Sequence, residues 1–139
     1  MGTTVRAELS QRNKYWIERH RYYELKHFCL QYPIWKKAYK TLDGLSKKPD
    51  NFYLPSKTND ISDPTERCVE ARSYYLRFIE MIEKTAMKAS ATFWHYILKG
   101  VTEGMSYDIM KAKLDMPCCK DTYYELYRRF FWLLDRARD

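Results

Sequence analysis

Apolar side chains along this chain return at intervals of three, four and seven, the spacing of a buried helix face rather than the alternation of a strand. From Glu8 to Gln31 the series Leu9, Tyr15, Trp16, Tyr22, Tyr23, Leu25, Cys29 and Leu30 predicts one long amphipathic helix. Pro33 interrupts it and holds Tyr32 extended, so a corner is expected there before a short helix over Ile34 to Leu42. Residues 43–62 carry Gly44, Pro49 and Pro55 among polar side chains without a sustained period, and read as a long loop or hinge. Asp63, Pro64 and Glu66 then match an N-cap, a first-turn proline and a capping-box acid. The helix they open runs through Val69, Leu76, Ile79, Met81 and Ile82 toward Ala89.

Ser90 or Thr92 is placed to open a further helix, and Gly100 or Gly104 to close it. Ser106 then caps a helix of about two turns, with Ile109, Met110 and Leu114 as its expected inner face. Asp115 to Cys118 forms a tight corner, and Cys119 to Arg138 a longer helix with Tyr123, Leu126, Phe130, Leu133, Leu134 and Ala137 at three-four spacing. Short helix, corner and longer helix outline a helix-turn-helix. The expected fold is all-α: a helical bundle with a C-terminal helix-turn-helix at about 104–138 and a long basic N-terminal helix. Its regions are a basic helical segment (1–42), the hinge (43–62) and a helical domain (63–139).

Composition narrows the class. The chain has 139 residues, 45% of them hydrophobic and 17% aromatic, too much apolar surface for a disordered polymer. A chain of this length buries enough surface to fold without metal or disulfide staples. No run approaches the roughly 18 apolar residues of a membrane span, and the charged N-terminus lacks the apolar stretch of a signal peptide. The expected location is therefore the cytoplasm, with Cys29, Cys68, Cys118 and Cys119 as free thiols.

The net charge of +7 sits at the front: residues 1–60 hold twelve basic and six acidic side chains. From Met105 onward the balance is seven to six. In a helix-turn-helix the exposed N-terminal side chains of the second helix meet base edges, while the first helix and its cap hold phosphates. Opposite the apolar stripe lie Lys120, Asp121, Tyr124, Glu125 and Arg128, the base-reading candidates, Arg128 suited to bidentate contact with guanine. Ser106, Tyr107, Lys111, Lys113 and Arg129 are the local phosphate candidates. Because this region is nearly neutral, further backbone affinity must come from elsewhere, and Arg12, Arg19 and Lys26, seven apart on one stripe, are the expected source. A solvated helix face is the plainer account of the same charges.

Phe131 and Trp132 make the last helix apolar nearly all round. They suggest burial against another helix, a homodimer seam suited to a palindromic site, or a protein-interface anchor. The 13 tyrosines, at helical spacing, are expected mostly in the core. Catalysis finds little support: His20 and His27 lack the H-E-x-x-H pattern, His95 lies between Trp94 and Tyr96, and Cys118-Cys119 lacks zinc-knuckle spacing. No enzyme activity, metal or cofactor is expected.

The order of several motifs resembles a known group. Asp63-Pro64-Thr65 opening a helix, Val101 to Tyr107, Pro117-Cys118 and the run Tyr123 to Leu134 resemble small transcriptional regulators encoded by phages and prophages of Gram-positive bacteria. These are regulators of the RinA or ArpU type, whose C-terminal part is similar to sigma factor region four. The resemblance implies a sequence-specific duplex DNA-binding regulator, with Ser106 and Tyr107 opening the first helix of the motif and Tyr124, Arg128 and Arg129 on the second. The doubled Cys118-Cys119 departs from the small polar cap that a recognition helix favours. The alternative expectation is a small phage-type inhibitor or adaptor that docks on a host protein such as RNA polymerase without reading DNA.

Overall fold

The computed structural model describes residues 13–42 and 64–138, which fold into six helices. They are α1 (Arg19–Leu30), α2 (Tyr32–Leu42), α3 (Pro64–Ala89), α4 (Trp94–Glu103), α5 (Tyr107–Leu114) and α6 (Lys120–Ala137). The fold is an all-α helical bundle. The expected hinge at 43–62, the Asp63 cap and Arg12 lie outside the described residues.

The first helix is shorter than its periodicity suggested. The Asn13 side-chain oxygen accepts the Tyr15 amide at 2.8 Å and the Asn13 carbonyl accepts the Trp16 amide at 3.0 Å, so the chain turns there. It then runs extended through Glu18, burying Tyr15 and Ile17 on one side. Glu18 is the N-cap: its carboxylate accepts the His20 amide at 2.8 Å, placing negative charge at the positive helix end. The buried Tyr15 thus belongs to an extended arm, not to the stripe of a helix starting at Glu8.

Pro33 lies in the first turn of α2, where a missing amide proton costs nothing, but Tyr32 is not held extended: the chain turns at Gln31 and Tyr32 is already the first residue of the helix. The Gln31 carbonyl accepts the Ile34 and Trp35 amides, so α2 starts where α1 stops. Tyr32 donates its hydroxyl to Glu83, and Trp35, Phe28 and Phe78 pack ring against ring between α1, α2 and α3.

α3 is the spine, packed against α2, α4 and α6. Its Ile79, Ile82 and Ala86 meet Tyr22, Leu25 and Cys29 of α1, Ile97 and Val101 of α4, and Phe130 and Leu134 of α6 in one continuous core. At its end the Ser90 hydroxyl accepts the Phe93 amide at 3.0 Å and closes the turn into α4. α4 stops at Gly104, whose φ of 71° is the left-handed geometry glycine adopts without strain. Gly100 serves a different purpose. A Cβ there would overlap the Tyr123 hydroxyl and lie 3.4 Å from Met110 Cε, so its hydrogen lets α6 approach the α4 backbone closely.

The core face of α6 consists of Tyr123, Tyr127, Phe130, Phe131 and Leu134. This is rotated from the leucine-based stripe: Leu126 and Leu133 are half-buried and Ala137 is exposed. Larger aromatic side chains remove more apolar surface from water and take the inner positions. Phe131 is therefore corrected from an interface anchor to a core residue, fully buried, with its ring 5.2 Å from Tyr22 and 5.0 Å from Tyr127. Inside the same layer the Tyr22 and Tyr127 hydroxyls share a hydrogen bond of 3.1 Å. In α5 the expected inner residue Met110 is buried and Leu114 half-buried, whereas Ile109 is 45% exposed and Tyr107 is buried in its place.

A polar clasp fastens α1 to the end of α6. Arg21 Nε donates to Asp135 Oδ1 at 2.6 Å and Arg21 Nη2 to the Asp135 carbonyl at 3.2 Å. Beyond it, the Arg138 guanidinium lies 4.2 Å from the Phe28 ring centre and 3.5 Å from Glu24.

Candidate nucleic-acid interface

The corner between α5 and α6 is fixed by side chains that bond to backbone. Ser106 caps α5 as predicted, its hydroxyl accepting the Ile109 amide at 3.2 Å. Asp115 ends the helix in the left-handed region at φ 54°, which aspartate tolerates better than most residues. Across the corner Lys111 Nζ donates to the Met116 carbonyl at 2.9 Å, and the Tyr107 hydroxyl donates to the Cys118 carbonyl at 2.7 Å. α5 itself leans on α4, and meets α6 through the Tyr107 ring, 5.9 Å from Tyr123 and 6.3 Å from Tyr124.

Two expected phosphate ligands are thereby corrected to roles inside the corner. Tyr107 is buried and its hydroxyl is committed to a carbonyl, so it holds the chain reversal. Lys111 is exposed along its stem, yet its ammonium is tied to Met116. Lys113 remains an exposed cation, and Ser106 spends its hydroxyl on the cap.

The first turns of α6 are anchored in the core by Tyr123 and expose their other side. Lys120, Asp121 and Glu125 are exposed and Tyr124 is half-buried, its ring 5.2 Å from Tyr123. Lys120 lies 3.9 Å from Asp108 with both side chains mostly in solvent, a pair worth little and easily released. Arg128 differs from them: its side chain is 20% exposed, Nη1 lies 3.8 Å from Glu125, and Nε is buried with no partner among the described residues. It sits in the third turn and flanks the surface rather than leading it.

At the N-cap of α6, Cys119 makes no side-chain hydrogen bond to the backbone; its sulfur lies 3.2 Å from the Thr122 hydroxyl instead. That contact pulls the exposed thiol below its ordinary pKa, while burial pushes Cys118 above it. Among the described residues no three of His, Cys, Asp and Glu converge as metal ligands would. His20, His27 and His95 are all exposed, His95 stacked 3.8 Å from Trp94.

The expected stripe on α1 is reduced to Arg19, exposed, and Lys26, half-buried with its ammonium 6.0 Å from the Tyr23 ring. Arg129, by contrast, belongs to a cationic shelf along α6 that the sequence reading missed. Its Nη1 donates to the Tyr15 hydroxyl at 3.3 Å and its Nη2 to the Lys88 carbonyl at 3.5 Å. Trp132 lies edge-on to Tyr15 at 5.6 Å and carries the Arg136 guanidinium 4.0 Å from its ring centre. Lys14 Nζ completes the shelf, 5.1 Å from the Tyr15 ring. The signal was the spacing of Arg129, Trp132 and Arg136, which sets a tryptophan between two arginines on one helix face.

Trp132 is consequently half-buried between Tyr15 and Arg136, and offers less bare apolar surface than a protein-binding anchor requires. No helix among the described residues is long and apolar enough to cross a membrane. Comparison with known proteins finds no match: no family model, curated protein or solved structure is significantly similar to this chain.

Proposed function

We propose that the chain is a sequence-specific duplex DNA-binding regulator that sets the N-terminal half of α6 in the major groove. One observation carries the reading. Lys120, Asp121 and Glu125 stand exposed on the early turns of α6 with Tyr124 half-buried beside them, while Tyr123 on the same turns anchors the helix in the core and Tyr107 and Lys111 hold the corner before it. A reading helix needs that combination, because base contacts discriminate only when the side chains that make them are held in register. The resemblance of its motif order to phage regulators of the RinA and ArpU type points in the same direction. Lys120 and Tyr124 are assigned to base edges, and Arg128 to the flanking pair after release from Glu125.

Selection from a pool of random duplexes, followed by sequencing, tests the proposal. Enrichment of one motif is expected, with half-site spacing that reports whether two copies bind together. Lys120→Ala and Arg128→Ala should each cost about 1–3 kcal/mol on the enriched site and little on random duplex. Absence of any enriched motif, or equal losses on both DNAs, overturns the assignment.

A further inference from the structure

We infer that the shelf of Lys14, Lys88, Arg129 and Arg136 around Tyr15 and Trp132 is where this protein grips the phosphate backbone of duplex DNA, independently of sequence. The inference rests on the nucleic-acid reading above but on none of its base-reading residues.

The first argument is charge. Three cations from the N-terminal arm and the outer flank of α6, Lys14, Arg129 and Arg136, meet around Tyr15 and Trp132, and the exposed Lys88 adjoins them through its backbone carbonyl, which Arg129 binds; none of the four has a carboxylate partner among the described residues. The nearest acids on the same elements are engaged elsewhere: Glu18 with the first amides of α1, Glu125 with Arg128, and Asp135 with Arg21. A surface of cations without carboxylate partners attracts a polyanion.

The second argument is preorganisation. The Arg136 guanidinium lies 4.0 Å from the Trp132 ring centre, and Arg129 is held by the Tyr15 hydroxyl and by the Lys88 carbonyl near the end of α3. Arg129 thereby neutralises the negative end of the α3 dipole, which would otherwise repel an anion at this place. A guanidinium has five donors, so Arg129 keeps others for a phosphate. Arg129 and Arg136 stand seven residues apart, about 10 Å along the helix, which spans roughly three of the ~3.4 Å phosphate rises of one DNA strand.

The third argument excludes other occupants. A membrane or an apolar partner needs a protruding apolar side chain, and Trp132 is instead covered on one face by Arg136 and touched by Tyr15. The covered face also leaves no open platform for stacking an unpaired base, which favours a duplex over a single strand.

The test is fluorescence anisotropy of the full chain on a labelled duplex of random sequence, across a salt series. For K88Q/R136Q we expect about tenfold weaker binding at low salt and a log–log salt slope shallower by about two, one for each phosphate contact removed. K37Q/K40Q, which removes two exposed cations from α2, should leave both nearly unchanged. R136K should keep most of the slope, and K88Q, which leaves Trp132 untouched, should lose about half the effect of the double variant. Equal losses for the two double variants would mean that net charge alone attracts DNA, and would overturn the inference. So would polyglutamate competing as well as duplex, or wild-type protein that fails to bind random duplex at low salt. An enriched motif together with an unchanged slope in K88Q/R136Q sinks the shelf and leaves the base reading standing. A lost slope without any enriched motif does the reverse.

Discussion

Gly100 and Tyr123 define a contact whose energetics can be worked through. Replacing Gly100 with alanine adds a methyl group where the Tyr123 hydroxyl already stands, with Met110 Cε and Tyr123 Cζ each 3.4 Å away. The change favours α4 by about 1 kcal/mol, because alanine loses less backbone entropy in a helix. Tyr123 is fully buried, however, and its ring cannot swing aside without disturbing Tyr107 and Tyr127, so crowding costs about 1–3 kcal/mol. The net expectation for G100A is a loss of about 0–2 kcal/mol from these two terms. Tyr123→Phe removes a buried hydroxyl with no hydrogen-bond partner among the described residues, and should be neutral or stabilising by up to about 1 kcal/mol. In that background the clash is gone and G100A should become neutral or favourable. The four proteins form a double-mutant cycle with a coupling of about 2 kcal/mol, read from urea midpoints at constant m-value. The same cost for G100A in both backgrounds would refute the close approach of α4 and α6. Loss of more than about 1 kcal/mol on Y123F alone would show that the hydroxyl is satisfied.

Other outcomes test separate parts of the structure. Tyr107→Phe leaves the Cys118 carbonyl without its donor, and should speed hydrogen exchange at residues 115–119 and lower the urea midpoint; unchanged exchange would mean that the hydroxyl does not hold the corner. In the native protein Cys119, exposed and shifted down by Thr122, should react with a thiol reagent well before Cys29, whose complete burial pushes its pKa up; Cys29 should react only on unfolding. Equal rates would contradict the core packing of α1. The Arg21 guanidinium lowers the Glu24 carboxyl below its ordinary 4.5. A depressed folded pKa stabilises fully above the ordinary value, and that contribution is lost as pH falls through the lowered one. Acid titration of E24Q should therefore show a slightly flatter stability profile below about pH 4.5 than the wild type, less so at high salt; superimposable profiles would remove Arg21 from the explanation.

Much of the helix order was legible because local chemistry decided it. Pro33 could only open a helix or break one, Gly104 adopts a left-handed cap, and Ser106 bonds an amide three residues ahead. The errors arose where tertiary packing chose among local options. Tyr15 fits a helical stripe, yet Asn13 turns the chain and Glu18 starts α1 later. Leu126 and Leu133 are as apolar as a core requires, yet Tyr127 and Phe131 take the inner positions because they fill the space between α1 and α3 better. The outward direction of Lys120 and Asp121 was readable from the period of α6. The tie from Lys111 to Met116 was not, because it depends on the reversal itself. The shelf was least legible, since it joins Lys14, Lys88 and Arg129, which no local window contains.

The clasp between Arg21 and Asp135 joins residues 114 positions apart, and Tyr22 and Tyr127 meet across nearly the same interval. During synthesis the first helix therefore emerges long before its partner exists. Until α6 leaves the ribosome, Tyr22, Leu25 and Cys29 lack one wall of the core that buries them. Their docking closes a long stretch of chain, an entropically slow step that comes late. A ribosome stalled soon after Leu114 should thus hold a nascent chain whose front is sticky and open to protease, whereas release of the last helix shuts it in a single event.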